Sequence, residues 1–292
     1  MLTENDAVSI VNSIASRPQV KNAGDYEQDG ILRCGKCGEP KQAWVNWFPD
    51  KDGNQTKNLV RIMCKCDIEA EKEAKERKAQ EDFDNAMRTI RMALHTLRDD
   101  VRWRFDMDDD AENRVSMACR AYVEKWDEVR TKNLGILLYG NKGCGKTFYA
   151  SCIYNALKDK RILVGFSSAP NLMNILGKWD KTEIFDAITR PLMLVIDDLG
   201  AERDNSYSAE LMYSVIDARY KTGKPTIVTT NLDIDEMKQE QDRWRSRIYD
   251  RVLEMCPVTI PMVGLSRRTT IAEKRRKEAM ELLGLTGKGN RK

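Results

Sequence analysis

The sequence predicts an α/β protein with a parallel sheet and a phosphate-binding loop. Residues 140–147 read GNKGCGKT, which matches the pattern G-x-x-x-x-G-K-T and directly follows the apolar run 134–139. From that point onward, short apolar segments alternate with helical ones, as in a sheet that helices cover on both faces. Together these observations place the loop between the first strand of the sheet and the helix that follows it.

The totals of the sequence allow one large and one small folded unit. A chain of 292 residues with 41% apolar residues can build a sizeable core, and a formal net charge of +3 indicates no global attraction to nucleic acid or membranes. No apolar run reaches the roughly 18 residues of a membrane span, and the first residues lack a signal-peptide pattern. We therefore expect a soluble, cytoplasmic protein.

The first predicted element is an amphipathic helix over residues 3–15. Its apolar residues recur at helical spacing, and Thr3 and Asp6 are spaced as a capping box. Its apolar stripe fits two interpretations, packing on its own domain, which is the commoner case, or docking to a partner.

Four cysteines in two close pairs indicate a zinc site. Each pair can present two thiolates from one short turn, and four thiolates complete a tetrahedral site that leaves no open position. Zinc would then fold a segment that is too small to hold a core by itself. The alternatives are buried thiols without metal, or a redox pair. The predicted ligands are Cys34, Cys37, Cys64 and Cys66, and the aromatic residues beside them are Trp44, Trp47 and Phe48.

A long helix is predicted over residues 67–98, because this stretch is rich in Glu, Lys, Arg and Ala and contains neither Gly nor Pro. Apolar residues from Phe83 to Leu97 recur at spacings of four and three, so we expect a connector that packs along one side. Its charges are interpreted as a solvated face. The single histidine, His95, is interpreted as a surface or packing residue instead of a metal ligand.

A helical segment over residues 112–126 leads into the sheet. The predicted strands are residues 136–139, 162–166, 192–196, 226–229 and 258–260, each short and largely apolar. The connection over residues 169–190 is longer than a crossover needs, so we expect an insertion with a function there. The loop itself is predicted to bind a nucleotide, although a glycine-rich surface turn beside an ordinary lysine is the alternative.

The loop carries the groups that nucleotide phosphates need. Its glycines let several backbone N–H groups face one anion, Lys146 adds a positive charge, and the hydroxyl of Thr147 can bind Mg²⁺. The predicted nucleotide-binding residues of the loop are Gly140, Asn141, Lys142, Gly143, Cys144, Gly145, Lys146 and Thr147.

Two carboxylates follow the apolar strand 192–196, as in a Walker B segment. Asp197 would hold Mg²⁺, and Asp198 lies where many P-loop ATPases place a glutamate that orients the attacking water. The alternative is that both acids only begin a turn and cap the next helix.

Polar and basic residues follow the later strands. Asn231 follows the strand 226–229 and could polarise water or sense phosphate, although it is equally an ordinary strand end and helix cap. An arginine-rich helix fits three interpretations: a solvated face, a DNA-backbone contact, or a finger that reaches a neighbouring subunit's nucleotide. Its arginines are Arg243, Arg245, Arg247 and Arg251.

At these residues the chain resembles the DnaC/DnaI-type replicative helicase loaders of the AAA+ superfamily and their relatives, the IstB-like transposition ATPases. The most specific segments are the phosphate loop, IDDLGAER (196–203), IDARY (216–220), TTNL (229–232) and SRIYDR (246–251). The cysteine pairs, the charged helix and RFD (104–106) match more loosely. A cysteine-rich module followed by a charged helix is most similar to the loaders of Gram-positive bacteria and their phages.

The resemblance implies a role for each of these residues. Lys146 and Thr147 bind phosphate and Mg²⁺, Asp197 and Asp198 are the Walker B carboxylates, and Asn231 is the sensor 1 residue. Among the arginines, it implies Arg247 as the finger that acts in trans, with Arg251 as second choice. It also implies Arg268, with Arg267 as the alternative register, as the sensor 2 arginine. Cys144 departs from the small or hydroxyl residue that is common in such loops.

The function implied by the resemblance is an ATP-dependent loader, an ATPase that delivers a hexameric replicative DNA helicase to single-stranded DNA. Residues 1–98 would form the helicase-binding module and linker, 99–272 the AAA+ domain, and 273–292 a basic tail. Self-assembly would complete the site through the finger, and no membrane contact is expected. The alternatives are a transposase-assisting ATPase and a non-catalytic zinc adaptor. The expected cofactors are ATP, Mg²⁺ and Zn²⁺.

Overall fold

The computed structural model describes residues 22–46, 57–178, 180–202, 205–264, 267–283 and 285, with only the backbone described at 267–271 and 274. The chain divides into two units between Asp82 and Phe83, within its longest helix. The predicted division at residue 98 stays a prediction. The predicted helix 3–15 and the aromatic residues Trp47 and Phe48 lie outside the described residues.

The first unit contains two antiparallel strand pairs. Strand β1 (Tyr26–Gln28) pairs with β2 (Ile31–Arg33), and β3 (Gln42–Asn46) pairs with β4 (Lys57–Arg61). The turn between β1 and β2 has positive φ at Asp29 (53°) and at the glycine that follows it, as a two-residue hairpin turn requires.

A buried ion group stabilises this unit. The Nζ of Lys41, 2% exposed, lies 3.0 Å from Oδ2 of Asp25 and 3.4 Å from Oδ2 of Asp67. Desolvation lowers the pKa of Lys41, but the hydrogen bond to Asp25 and the charge of Asp67 outweigh that effect and raise it. Two carboxylates thus keep the buried ammonium group charged.

The long helix α1 (Lys65–Ala93) is confirmed as a helix but ends earlier than predicted. His95 adopts a left-handed conformation (φ 46°), and the N–H of Thr96 donates to the carbonyl of Arg91, which closes the helix end as in a Schellman motif. The apolar seam packs into the second unit's core as far as Leu94, whereas Leu97 is 64% exposed. The predicted seam is therefore wrong at its last position.

The second unit contains a five-stranded parallel sheet, which confirms the predicted fold class. In the described chain its order is β6-β7-β8-β5-β9, so the strand before the phosphate loop has neighbours on both sides. Each predicted strand is present, with boundaries shifted by up to three residues. The strands are β5 (Ile136–Gly140), β6 (Val164–Ser168), β7 (Met193–Leu199), β8 (Thr226–Thr230) and β9 (Val258–Met262).

Helices cover both faces of the sheet, and each face has its own hydrophobic core. The helix predicted over 112–126 is present as α2 (Arg114–Glu124), and a further short helix, α3 (Trp126–Thr131), follows it. The long connection after β6 forms α5 and α6, whose apolar sides lie in the core. The helices are α2 (Arg114–Glu124), α3 (Trp126–Thr131), α4 (Lys146–Asp159), α5 (Ala169–Leu176), α6 (Lys181–Thr189), α7 (Ser206–Lys221), α8 (Ile234–Gln239), α9 (Arg243–Met255) and α10 (Arg267–Leu282). Within the residues that the structure describes, no helix is both long and apolar enough to cross a membrane.

Arg219 on α7 is a fully buried arginine whose guanidinium joins the helix to the segments that precede β7 and β8. Burial lowers its pKa to about 9. Each of its three nitrogens donates at least one hydrogen bond, which offsets the desolvation of the charge. The acceptors are the hydroxyl of Thr226 and the carbonyls of Ile188, Pro191, Leu192 and Pro225.

Replacing Arg219 with methionine is expected to lower the free energy of unfolding by about 3 kcal/mol, because buried carbonyls lose their donors. Urea denaturation followed by circular dichroism measures the change. Lys221→Met is the matched control, since the Lys221 side chain on the same helix is 72% exposed and pairs only at the surface with Asp217. Equal stability of the two variants would contradict a structural role for Arg219.

Candidate functional site

The phosphate loop lies between β5 and α4, at the carboxyl edge of the sheet, where open α/β sheets bind ligands. Gly140 (φ 122°) ends β5, and a Cβ there would lie 2.6 Å from the carbonyl oxygen of Met262 on β9. Gly145 (φ 96°) begins α4 in a left-handed conformation. Glycine is needed at both positions, and the loop consequently turns its backbone toward the space above the sheet.

Lys146 is 5% exposed and its ammonium group is directed into the loop. Its Nζ donates to the carbonyl oxygens of Gly140 (2.8 Å) and Asn141 (2.7 Å) and to Oδ1 of Asn231 (2.9 Å). Asn231 directly follows β8. The structure therefore brings two predicted site residues from separate motifs into direct contact.

Thr147 and Asp197 form the second contact between predicted site residues. The Oγ1 of Thr147 lies 3.0 Å from each carboxylate oxygen of Asp197, which is 6% exposed. Burial raises the pKa of Asp197 to about 6, while its hydrogen bond with Thr229 acts in the opposite direction. A hydroxyl beside a carboxylate is the oxygen donor set that suits Mg²⁺.

The sheet is irregular at the two carboxylates. Ile196 on β7 pairs with Val228 on β8, but the next pair is Leu199 with Thr230, so β7 carries an extra residue. Asp198 lies within this bulge and has a positive φ of 54°. The sequence pattern, which suggests a regular strand end, does not reveal this bulge.

The Oγ1 of Thr229, on β8, occupies the space that the bulge opens. It donates to Oδ1 of Asp197 at 2.6 Å and accepts from the backbone N–H of Asp198 at 2.9 Å. Thr229 is 0% exposed. Sequence reasoning did not select this residue as a site residue, and its position as the first residue of TTNL is the only local signal.

Two of the predicted finger candidates differ in their surroundings. The Nη1 of Arg251 lies 2.7 Å from Oδ1 of Asp217, and its guanidinium lies 4.5 Å from the ring centroid of Tyr213. Arg247 is exposed, with its guanidinium 5.8 Å from the ring centroid of Trp244. Arg251 is thus held against α7, whereas Arg247 reaches toward solvent.

A cavity of about 330 Å³ lies beside Cys144 of the phosphate loop. Its lining includes Cys144, whose Sγ donates to the carbonyl of Gly264 at 3.3 Å, and Tyr149. The Nδ2 of Asn113 donates to the phenol oxygen of Tyr149 at 3.0 Å, which gives the wall a polar network. The sequence did not predict this cavity, because its walls come from three distant segments.

The remaining predicted nucleotide residues lie around this edge. Lys142 is exposed in the loop. Arg267 and Arg268 begin α10, where the structure describes the backbone alone, so the role predicted for Arg268 stays a prediction.

The four predicted zinc ligands lie together in the first unit. The Sγ atoms of Cys34, Cys37, Cys64 and Cys66 all lie within 4.8 Å of one another. Backbone N–H groups at Cys37 and Lys36 are directed at Cys34 and lower the pKa of its thiol to about 7. Burial raises the pKa of Cys64 to about 12. An all-sulfur set at this separation fits tetrahedral zinc.

The buried ion group supports both cysteine pairs. A Cβ at Gly35 would overlap the backbone carbonyl of Gly24, so the turn between the first two cysteines needs glycine. The N–H of Gly35 donates to Oδ1 of Asp25 (3.1 Å), and Lys41 joins Asp25 to Asp67, the residue after the last cysteine. The two pairs are thus connected by one network of hydrogen bonds and an ion pair.

Comparison with known proteins confirms the resemblance inferred from the motifs. The model of the IstB-like ATP binding protein family matches residues 50–276. The replicative helicase loader DnaI of Bacillus subtilis (strain 168) is 28% identical over 151 residues, covering 47% of this chain and 48% of the loader. A candidate ATP-binding protein of insertion sequence IS232 from Bacillus thuringiensis subsp. berliner is 31% identical over 140 residues, covering 46% and 55%.

A crystal structure from Streptococcus pyogenes serotype M3, described as a candidate primosome component, superposes with a TM-score of 0.50 at 21% identity. It covers 61% of this chain and 97% of that one, and at this identity it shows the fold alone. The chain spans about half the length of the curated relatives it matches. Because the family model extends over well more than half of the sequence, the chain belongs to the family of IstB-like ATP-binding proteins.

Proposed function

We propose that this chain is an ATP-dependent loader that binds a replicative DNA helicase and delivers it to single-stranded DNA. The observation that carries the proposal is the cysteine cluster, because a compact metal-binding unit ahead of the ATP-binding unit provides a separate surface for a partner. Relatives named as replicative helicase loaders support it. In this proposal residues 1–98 grip the helicase, 99–272 bind ATP, and 273–292 form a basic tail.

Hydrolysis of ATP would depend on positioning and on neutralisation of charge. Lys146 and the loop's backbone N–H groups would bind the phosphates, and Asn231, in contact with Lys146, would respond to the terminal phosphate. Mg²⁺, held by Thr147 and Asp197, would neutralise charge on the phosphates when bound. Asp198 would orient the attacking water.

The base of the nucleotide would occupy the cavity beside Cys144, because this cavity adjoins the loop and has both apolar and polar walls. Arg268, at the start of α10, would complete the site as the sensor 2 residue. The backbone N–H groups of the loop, including that of Lys142, would add to the phosphate contacts, whereas the exposed side chain of Lys142 would extend into solvent.

A neighbouring subunit would supply Arg247 to the transferred phosphoryl group. The exposure of Arg247 supports this choice over Arg251, whose guanidinium is already paired with Asp217. An arginine supplied in trans makes hydrolysis depend on self-assembly, so ATP turnover would report that the loader has assembled. Release of the helicase would follow hydrolysis.

A transposase-assisting ATPase is the second candidate function. The match to the IstB-like family and the similarity to an insertion-sequence protein favour it. It would use the same nucleotide residues and differ in its partner, so the nucleotide site cannot distinguish the two functions. A third possibility is a non-catalytic zinc adaptor, in which bound nucleotide only stabilises the fold.

The partner is tested by mixing the purified protein with the replicative helicase of Bacillus subtilis, whose loader is among its relatives. We expect light scattering to detect a complex of the two proteins in the presence of ATP, and single-stranded DNA to be retained with it. The control is the same helicase without the protein. Failure to bind this helicase, together with ATP-dependent binding to an insertion-sequence transposase, would favour the second candidate.

A further inference from the structure

We propose that Thr229 is a positioning residue that fixes the directions of both carboxylates, Asp197 and Asp198, at the phosphate edge of the sheet. The inference rests on the proposed ATPase site and adds a residue to it. It is based on one buried hydroxyl that contacts both acidic residues at the point where the sheet is irregular.

The first step is the hydrogen-bonding capacity of that hydroxyl. Thr229 is 0% exposed, and its Oγ1 donates its one proton to Oδ1 of Asp197 at 2.6 Å. With that proton used, Oγ1 acts as an acceptor for the N–H of Asp198 at 2.9 Å. The donor and the acceptor of each hydrogen bond are therefore fixed. Movement of either aspartate would break a buried hydrogen bond.

The second step concerns the backbone of Asp198. Its φ of 54° is uncommon for a residue with a side chain, and the strand pairing is interrupted between Ile196 and Leu199. An unpaired N–H at such a position would be costly, and the Thr229 hydroxyl supplies the acceptor. Thr229 thereby stabilises the backbone conformation that determines where the Asp198 carboxylate points.

The third step concerns the carboxylate of Asp197. Oδ1 is held on the β8 side by Thr229, while Thr147 lies 3.0 Å from both oxygens on the loop side. This two-sided contact limits rotation of the carboxylate plane. Such support from a neighbouring residue typically changes metal affinity or activity by about 10–100-fold when it is removed.

The test uses Thr229→Val and Thr229→Ala, which both lack the hydroxyl, and Thr229→Ser, which restores it. We expect kcat for ATP to fall by about 10–100-fold in the first two variants, and KM for ATP with Mg²⁺ to rise by about tenfold because the carboxylate of Asp197 is less well held. We expect Thr229→Ser to recover most of kcat. A role limited to packing would instead make Thr229→Val the mildest of the three changes.

A second readout does not depend on turnover. Binding of a fluorescent, non-hydrolysable ATP analogue is measured with Mg²⁺ and with EDTA, and we expect the gain in affinity from Mg²⁺ to be about tenfold smaller in Thr229→Val. Thr226→Val is the matched control, since Thr226 is equally buried on β8 and bonds to Arg219 and Lys224, outside the site. It should alter thermal stability but neither readout.

The outcomes separate this inference from the proposed function. Wild-type kcat and a wild-type Mg²⁺ effect in folded Thr229→Val would overturn the role of Thr229 and leave the ATPase proposal standing. Absence of hydrolysis by the wild-type protein would overturn the ATPase proposal, and the Mg²⁺-linked binding measurement would still decide the role of Thr229.

Discussion

Replacing Lys146 with alanine is expected to reduce ATP hydrolysis by about 10²–10³-fold, because the substitution removes the charge that would stabilise the phosphates. Its ammonium group contacts Gly140, Asn141 and Asn231, so it already lies where the loop and the predicted sensor residue meet. Release of phosphate at saturating ATP and Mg²⁺ measures the effect.

Lys142→Ala is the matched control, because Lys142 lies in the same loop but is exposed. We expect it to retain hydrolysis within about threefold of the wild-type rate, since an exposed charge interacts weakly with its surroundings. Thermal unfolding of both variants shows whether either change destabilises the fold. Equal activity of Lys146→Ala and Lys142→Ala would remove the assigned role of Lys146.

The same variant distinguishes the loader from the adaptor. If the protein uses ATP hydrolysis as a timing step, Lys146→Ala should bind the helicase but fail to release it onto single-stranded DNA. A variant that lacks hydrolysis yet delivers helicase at the wild-type rate would support the adaptor. This comparison requires the full chain, since the cysteine cluster and the ATP site lie in different units.

The sheet and its loop could be predicted because their signals are local. Strands covered on both faces need continuous apolar runs, and β5 and β8 therefore begin at the predicted residues, Ile136 and Thr226. The loop pattern fixes glycine and lysine at set spacings. The contacts of Lys146 with Asn231 and of Thr147 with Asp197 then follow from the rule that parallel strands end at one edge.

Other features could not be predicted because they depend on residues far apart in the sequence. The left-handed Asp198 requires an acceptor on another strand, and nothing in its own segment indicates one. Similarly, the sequence around Lys41 suggests a surface lysine, whereas the fold buries its ammonium group beside Asp25 and Asp67. The end of α1 was misplaced because a histidine, His95, adopts the conformation for which glycine is the usual signal.

The bulge also changes the directions of the two Walker B carboxylates in this chain. A regular strand would direct Asp197 and Asp198 to opposite faces of the sheet. The extra residue in β7 and the positive φ of Asp198 alter that alternation, and Thr229 contacts both residues. The positions of the two Walker B carboxylates therefore depend on Thr229, which lies outside the Walker B segment, so substitutions of Asp197 and Asp198 alone would miss this contribution.

Replacing Cys64 with serine is expected to remove zinc from the first unit and to abolish helicase binding, while ATP hydrolysis without helicase remains. Cys64 is 1% exposed, and its Sγ lies within 4.8 Å of the other three thiols. Metal binding supplies folding free energy to small units of this kind, roughly 10–16 kcal/mol in zinc-finger peptides. Metal analysis should give about one zinc per wild-type chain and none in the variant.

Cys119→Ala is the matched control, because Cys119 is a buried thiol in the second unit, outside the cluster. It should retain zinc and helicase binding.

A thiol reagent then distinguishes bound zinc from the two other interpretations of the cluster. With zinc bound, the exposed Cys37 should react slowly until a chelator is added, after which all four thiols become reactive. Bare thiols would give no chelator effect, and a redox pair would lose two reactive thiols on mild oxidation.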